Sequence, residues 1–227
     1  MGGIKRNSSN TTYVNIVEGN WVRRYKEHQH DANGSLITRE REIKDDKGVV
    51  TKTVIEEQFD SWVGLIVKAE IVESDFGPKV VLHFEDEQGS SQLQFGLYSR
   101  YASSFLKIMP NINTDEEVEL KPYNFVGDDG KKAVGMNLFQ NGEKLPYKWT
   151  KEKPGKLPQW ENSMDPLGKP KWNNDKEMAF LVDIFRRWAG TLGELNIAKK
   201  PDDRVKSEPI KPKSEPIIEE DDDDLPF

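Results

Sequence analysis

Aromatic and cationic side chains interleave at two places in this chain of 227 residues. Trp21, Arg23, Arg24, Tyr25 and Lys26 form the first, and Tyr147, Lys148, Trp149, Lys151 and Lys153 the second. Such mixtures suit an unpaired polynucleotide. Flat rings offer stacking surfaces that every base accepts, while lysine and arginine neutralise phosphates and release counterions. The competing reading of Trp21–Lys26 is an ordinary amphipathic strand, and of Trp149 an anchor at a strand end. Residues for covalent chemistry are sparse by comparison. Cysteine is absent, which removes thiolate catalysis, disulfides and cysteine-bound zinc and fits a reducing cytosol. The histidines are His28, His30 and His83. The first two are two residues apart in a charged loop with no accompanying ligand set, so a polar surface loop is preferred over a metal site. No phosphate-cradling glycine loop, G-x-S-x-G or HExxH occurs. Carboxylates Glu116, Glu117 and Glu119 read as an acidic strand edge. Neither enzyme nor cofactor is expected.

The elements that must position these residues follow from periodicity. Strand-like pieces run over Tyr13–Val17 and Trp21–Tyr25. Leu36–Lys44 and Val49–Phe59 then flank the turn Asp45-Asp46-Lys47-Gly48, and their alternation of charged and β-branched residues suits an exposed ribbon. From Trp62, Val63, Leu65, Val67, Ala69 and Ile71 alternate. After the turn Asp75–Pro78, Val80, Leu82 and Phe84 face one way along Lys79–Glu85; Leu93, Phe95 and Leu97 do so along Ser91–Tyr98. Ser99 caps a helix with Tyr101, Phe105 and Ile108 on one face, and Pro110 ends it. Glu117–Val126 and Lys131–Gln140 form a further hairpin about Gly127–Gly130.

Three strands, a helix and two strands are the order of an OB-fold, a five-stranded barrel whose strands two and three form an oligonucleotide-binding face. A sandwich-like or rearranged β domain is the alternative. The fold expected is therefore mainly β: a five-stranded OB-like barrel over 59–149 behind an N-terminal extension and β-ribbon over 1–58. Residues 150–198 supply a basic, tryptophan-containing loop and an amphipathic helix. That helix is predicted over Asn174–Trp188, capped by Asn173 or Asn174, with Met178, Leu181, Val182, Phe185 and Trp188 as its apolar stripe. On the barrel, His83, Gln94 and Tyr98 are expected on the binding face, with Arg100 and Tyr101 just beyond. Tyr98 has the competing role of covering the barrel end, and Tyr101 that of packing with the helix.

Residues 199–227 read as a disordered acidic tail carrying the duplicated KSEPI at Lys206–Ile210 and Lys213–Ile217. Ten acidic residues against four basic ones in Pro201–Phe227 leave residues 1–200 at −1 of the overall −7. The body is near neutral, so any case for nucleic acid rests on local patches. The N-terminal stretch lacks a signal-peptide pattern and no apolar run is long enough for a membrane span, so a cytoplasmic location is expected.

The ending Asp221-Asp222-Asp223-Asp224-Leu225-Pro226-Phe227 resembles the acidic tip of bacterial and phage single-stranded-DNA-binding proteins. Leu225 stands where isoleucine is usual in that family. Ser99–Ile112 (SRYASSFLKIMPNI) is also similar to OB-fold single-strand binders of tailed bacteriophages. The resemblance implies an OB-fold that coats single-stranded DNA in replication, recombination or repair. It further implies that the seven tip residues recruit a polymerase, helicase, primase or nuclease, which would place the protein in a bacterial host's cytoplasm. The DNA-contacting residues expected are Trp21, Arg23, Arg24, Tyr25, His83, Gln94, Tyr98, Arg100, Lys148, Trp149 and Lys151. Two other readings stand beside it: an acidic-tailed adaptor or DNA mimic that does not itself bind DNA, and an RNA chaperone.

Overall fold

The computed structural model describes residues 11–86, 89–150, 152–164 and 170–198; the acidic tip lies outside them. The protein is mainly β. Strands β1 (Thr12–Val17) and β2 (Asn20–Tyr25) are joined by Glu18 and Gly19, both at positive φ (53° and 93°), the two-residue turn that matches strand twist. β3 (Arg39–Lys44) and β4 (Val50–Phe59) form the charged ribbon, and its turn is held by Asp45 Oδ1, which accepts from the Lys47 and Val49 amides at 2.9 Å each. β5 (Trp62–Val72), β6 (Lys79–Asp86) and β7 (Gly89–Gly96) are an antiparallel meander. Helix α1 (Arg100–Ile108) follows, capped by Ser99 Oγ, which accepts from the Ala102 amide. β8 (Val118–Val126), β9 (Lys132–Gln140) and the short β10 (Glu143–Lys144) come next. β11 (Glu161–Met164) and β12 (Pro170–Asn173) pair separately, and α2 (Asp175–Ala198) ends the described chain. No helix among the described residues is long and apolar enough to cross a membrane.

Ten strands make one open sheet in the order β10-β9-β8-β5-β6-β7-β1-β2-β4-β3. The closed five-stranded barrel expected from the sequence is not formed. Closure would require the free edge of β7 to meet β9, but that edge is taken by β1, which runs parallel to it from Thr12↔Ser91 to Asn15↔Gln94. Val14 of β1 is wholly buried, so the N-terminal strands contribute core and not merely an appended ribbon.

Two further differences have local causes. The alternation along β5 changes phase. A bulge between Ile66 and Lys68 puts two residues against one on β6, so Ile66 and Ala69 are both buried while Val63 is exposed. α2 also continues ten residues beyond Trp188. Leu192 is buried in the same core as Met178, Leu181 and Phe185, and this packing carries the helix past Gly190 despite glycine's low propensity.

The core lies between the inner sheet face, α1 and α2. An aromatic chain crosses it: Phe95 meets Phe105 at 5.7 Å, and Phe105 meets Trp188 at 6.1 Å. Trp21 enters from β2, with 0% exposure and its ring 6.2 Å from Phe95. Its Nε1 donates to the Leu120 carbonyl of β8 at 2.9 Å, bridging strands that are far apart in the sheet order. The β1–β2 turn is pressed against β8 as well; a Cβ on Gly19 would stand 2.7 Å from the Asn124 nitrogen. The open sheet is thus curled until its two halves touch.

Trp21→Ala is expected to cost about 3–5 kcal/mol, by cavity formation and an unpaired carbonyl. Urea unfolding followed by circular dichroism measures it. A loss under ~1 kcal/mol would show that Trp21 is not a core anchor.

Candidate nucleic-acid interface

Three chain reversals gather at one end of the curled sheet, and each exposes an aromatic ring. The β5–β6 turn is locked by Ser74, whose Oγ donates to the Gly77 carbonyl at 2.6 Å, with Gly77 at φ 92°. This raises Phe76 to its tip, 93% exposed. The Leu97 amide donates to the Pro78 carbonyl at 2.9 Å, tying that turn to the exit of β7. Tyr98 follows immediately, 73% exposed. Arg100 opens α1 and donates from Nη1 to the Lys132 carbonyl at 3.3 Å, which links α1 to the β8–β9 hairpin. There Phe125 is 57% exposed, 5.8 Å from the Tyr123 ring, with Val126 exposed beside it. Lys131 and Lys132 are exposed at the same hairpin, and Lys131 pairs with Asp129 at 2.9 Å. Large exposed apolar patches are a feature of contact surfaces. Arginine and lysine among them add the charge a phosphate backbone needs.

The outer face of the meander continues from this end. Register places Lys68, His83, Gln92 and Tyr13 in one row across β5, β6, β7 and β1; Glu70, Val81, Gln94 and Asn15 form the next. His83 Nε2 lies 2.7 Å from Glu70 Oε1, and Lys68 Nζ lies 2.9 Å from the same oxygen. Hydrogen bonds from Lys68 and then His83 hold the Glu70 carboxyl below the usual carboxylate range. His83 and Gln94 thus share a face, as the strand alternation predicts, and Tyr98 and Arg100 lie where β7 passes into α1.

The first basic–aromatic patch is not one surface. Trp21 is wholly buried and hydrogen-bonded to Leu120, so it cannot stack on a base, and its expected DNA contact is corrected to a core role. Alternation puts Arg23 and Tyr25 on the same face of β2 as Trp21, but only Trp21 lies deep enough along the strand to be wholly buried, while those two are partly exposed. Tyr25 is half-buried, and its hydroxyl donates to Glu57 Oε2 at 2.6 Å while the Arg23 guanidinium sits 4.8 Å over its ring. Arg24 and Lys26 are exposed. Glu56, also wholly buried, is held by Arg39 and Arg41 at 2.8 and 2.9 Å.

In the second patch Lys148 is exposed, with its backbone anchored to the Lys107 carbonyl at 2.8 Å. Trp149 is partly buried and edge-on to Phe180 of α2 at 5.6 Å, so packing supplies its primary role. Lys151 and the tip Asp221–Phe227 lie outside the described residues. His28 bonds to Thr38 and Glu40 at 3.1 Å each, and among the described residues no group of three metal-ligating side chains occurs.

Sequence reasoning missed Phe76, Phe125 and Tyr13. A signal was present for the first two. Phe76 sits inside the turn Asp75-Phe76-Gly77-Pro78 and Phe125-Val126 directly precede Gly127, so each is an apolar residue where a reversal exposes it.

Burial, then the hydrogen bond to Glu57, pushes the Tyr25 phenol up to about 12. Because the folded value lies above the ordinary one, this contribution to stability is complete below about pH 10 and is lost as pH rises toward 12. Ultraviolet titration should show one phenol ionising last, and Glu57→Gln should bring it earlier. Ionisation of all tyrosines together near pH 10 would contradict this geometry.

Comparison of the chain with protein-family models, curated proteins and solved structures finds no match.

Proposed function

We propose that this protein binds single-stranded DNA without catalysis, gripping it across the linked reversals that carry Phe76, Tyr98, Arg100 and Phe125. The observation that carries this reading is the exposure of three rings on three separate reversals, tied together by the Leu97–Pro78 and Arg100–Lys132 hydrogen bonds. Stacking on such rings tolerates any base, and the strand would leave along the His83–Gln94 face. The order of β5 to β9 with α1 after β7 supports an OB-like arrangement in which β1 replaces the closing strand. In OB-folds the loops after the first and fourth strands are binding loops, and these correspond to the turns bearing Phe76 and Phe125–Lys132.

The tip Asp221–Phe227 supports recruitment of replication, recombination or repair enzymes in a bacterial cytoplasm. Its phenylalanine offers an apolar side chain, and its aspartates suit a basic surface. The second reading, an acidic-tailed adaptor or DNA mimic, is favoured by the near-neutral body.

Titrating labelled oligo-dT by fluorescence anisotropy separates the two. Binding should weaken with salt, and Phe76→Ala or Tyr98→Ala should each cost roughly 1–3 kcal/mol. Absence of binding at low salt would leave the adaptor reading. Removing residues 219–227 should tighten DNA binding at low salt, because a competing polyanion is lost, and abolish capture of partner enzymes. Unchanged behaviour in both assays would refute the tail's assigned role.

A further inference from the structure

Helix α1 leads away from the aromatic end toward a second concavity. Arg100, Ser103, Ser104 and Lys107 recur at the spacing of one helical face. They span about 10 Å, the rise of roughly three stacked nucleotides. At the Lys107 end lies a cleft of about 770 Å³ between α1, residues 147–150 and 157–160, and the start of α2. This is within the range of roughly 300–1,000 Å³ typical of ligand sites.

The chemistry of the cleft narrows its occupant. Trp160 presents its ring with 51% exposure, and its Nε1 donates to Glu177 Oε2 at 2.6 Å. Glu177 is buried, and its other oxygen lies 2.7 Å from Lys107 Nζ. The floor is therefore polar but already neutralised. A cationic ligand would have to break the pair to reach the carboxylate, and an anion to reach the lysine. A neutral, flat, hydrogen-bonding group meets neither obstacle. Tyr147, whose hydroxyl donates to Ser104 Oγ at 3.4 Å, adds a second aromatic wall. Outside the floor, Lys148, Lys153 and Lys156 are exposed on the segment that forms the wall. Neutral aromatic floor and cationic rim are the two halves of a nucleotide site: base inside, phosphate at the edge.

We infer that this cleft accepts one base of the bound strand, with Trp160 as its stacking surface and the lysine rim holding the flanking phosphates. The inference rests on the single-stranded-DNA reading above and adds a second anchor along α1. A strand gripped at both ends of the helix face would be fixed in direction on the protein.

Photocrosslinking of the full chain to oligo-dT carrying 5-iodouracil, with adducts located by mass spectrometry, tests it. Adducts are expected at Trp160 or Tyr147 as well as at Phe76, Tyr98 or Phe125. Trp160→Ala should weaken binding roughly five- to hundredfold with the salt slope unchanged, and Trp160→Phe should restore most of it. Ser103→Phe, which places a ring inside the cleft, should weaken binding similarly. If DNA binds at full affinity to Ser103→Phe and Trp160→Ala, and adducts are confined to the Phe76–Tyr98–Phe125 end, the cleft is not a base site while the DNA reading survives. If no complex forms with any chain, both fall.

Discussion

A buried hydrogen bond ties two separated strands of this curled sheet to each other across the core. Trp21 Nε1 reaches the Leu120 carbonyl across 99 residues, inside a core where neither group has water to turn to. Leaving either unpaired costs more than the bond itself contributes, so the curl of the sheet is set by the need to satisfy both. The Gly19 turn closes on Asn124 beside it, where a side chain would collide with the backbone. β1, paired with both β2 and β7, covers the edge of β7, and α1 and α2 pack into the core beneath the sheet.

That constraint organises the proposed interface. α1 starts where β7 ends, so Tyr98, the capping Ser99 and Arg100 are placed by the same few residues that finish a strand and begin a helix. Arg100 then joins the β8–β9 hairpin, and Pro78 joins the β5–β6 turn to β7. Side chains distant in sequence are thus linked by one backbone hydrogen bond, Leu97 to Pro78, and one from the Arg100 side chain to the Lys132 carbonyl, and not by long flexible loops. Pre-set rings and cations lose little freedom on meeting a strand, which favours binding without demand for a particular base.

Much of the local structure was legible in the sequence. Period-two runs marked β6 and β7 and their inner residues, Ser99 marked the start of α1, and glycine marked the hairpin turns. What was not legible was non-local. Nothing in Thr12–Val17 says that it will pair in parallel with β7, because the partner is about eighty residues away and parallel pairing leaves no turn signature. The bulge in β5 was hidden for a related reason: an extra residue is visible only against its partner strand. Trp21 misled because aromatic–basic composition is shared by a stacking patch and an amphipathic strand, and only burial separates them. His83 and Gln94 are half-accessible on strand phases that could be read locally, whereas Tyr98 is exposed in the turn after β7 and Arg100 at the start of α1.

The central claim is that single-stranded DNA is held across the linked reversals that carry Phe76, Tyr98, Arg100 and Phe125. Amide chemical-shift mapping of the full chain during titration with oligo-dT tests it most directly. The account predicts the largest shifts at Ser74–Pro78, Leu97–Tyr101 and Phe125–Lys132, with the ribbon tip at Asp45–Gly48 unmoved. Shifts absent from all three reversals, or confined to the ribbon, would contradict it.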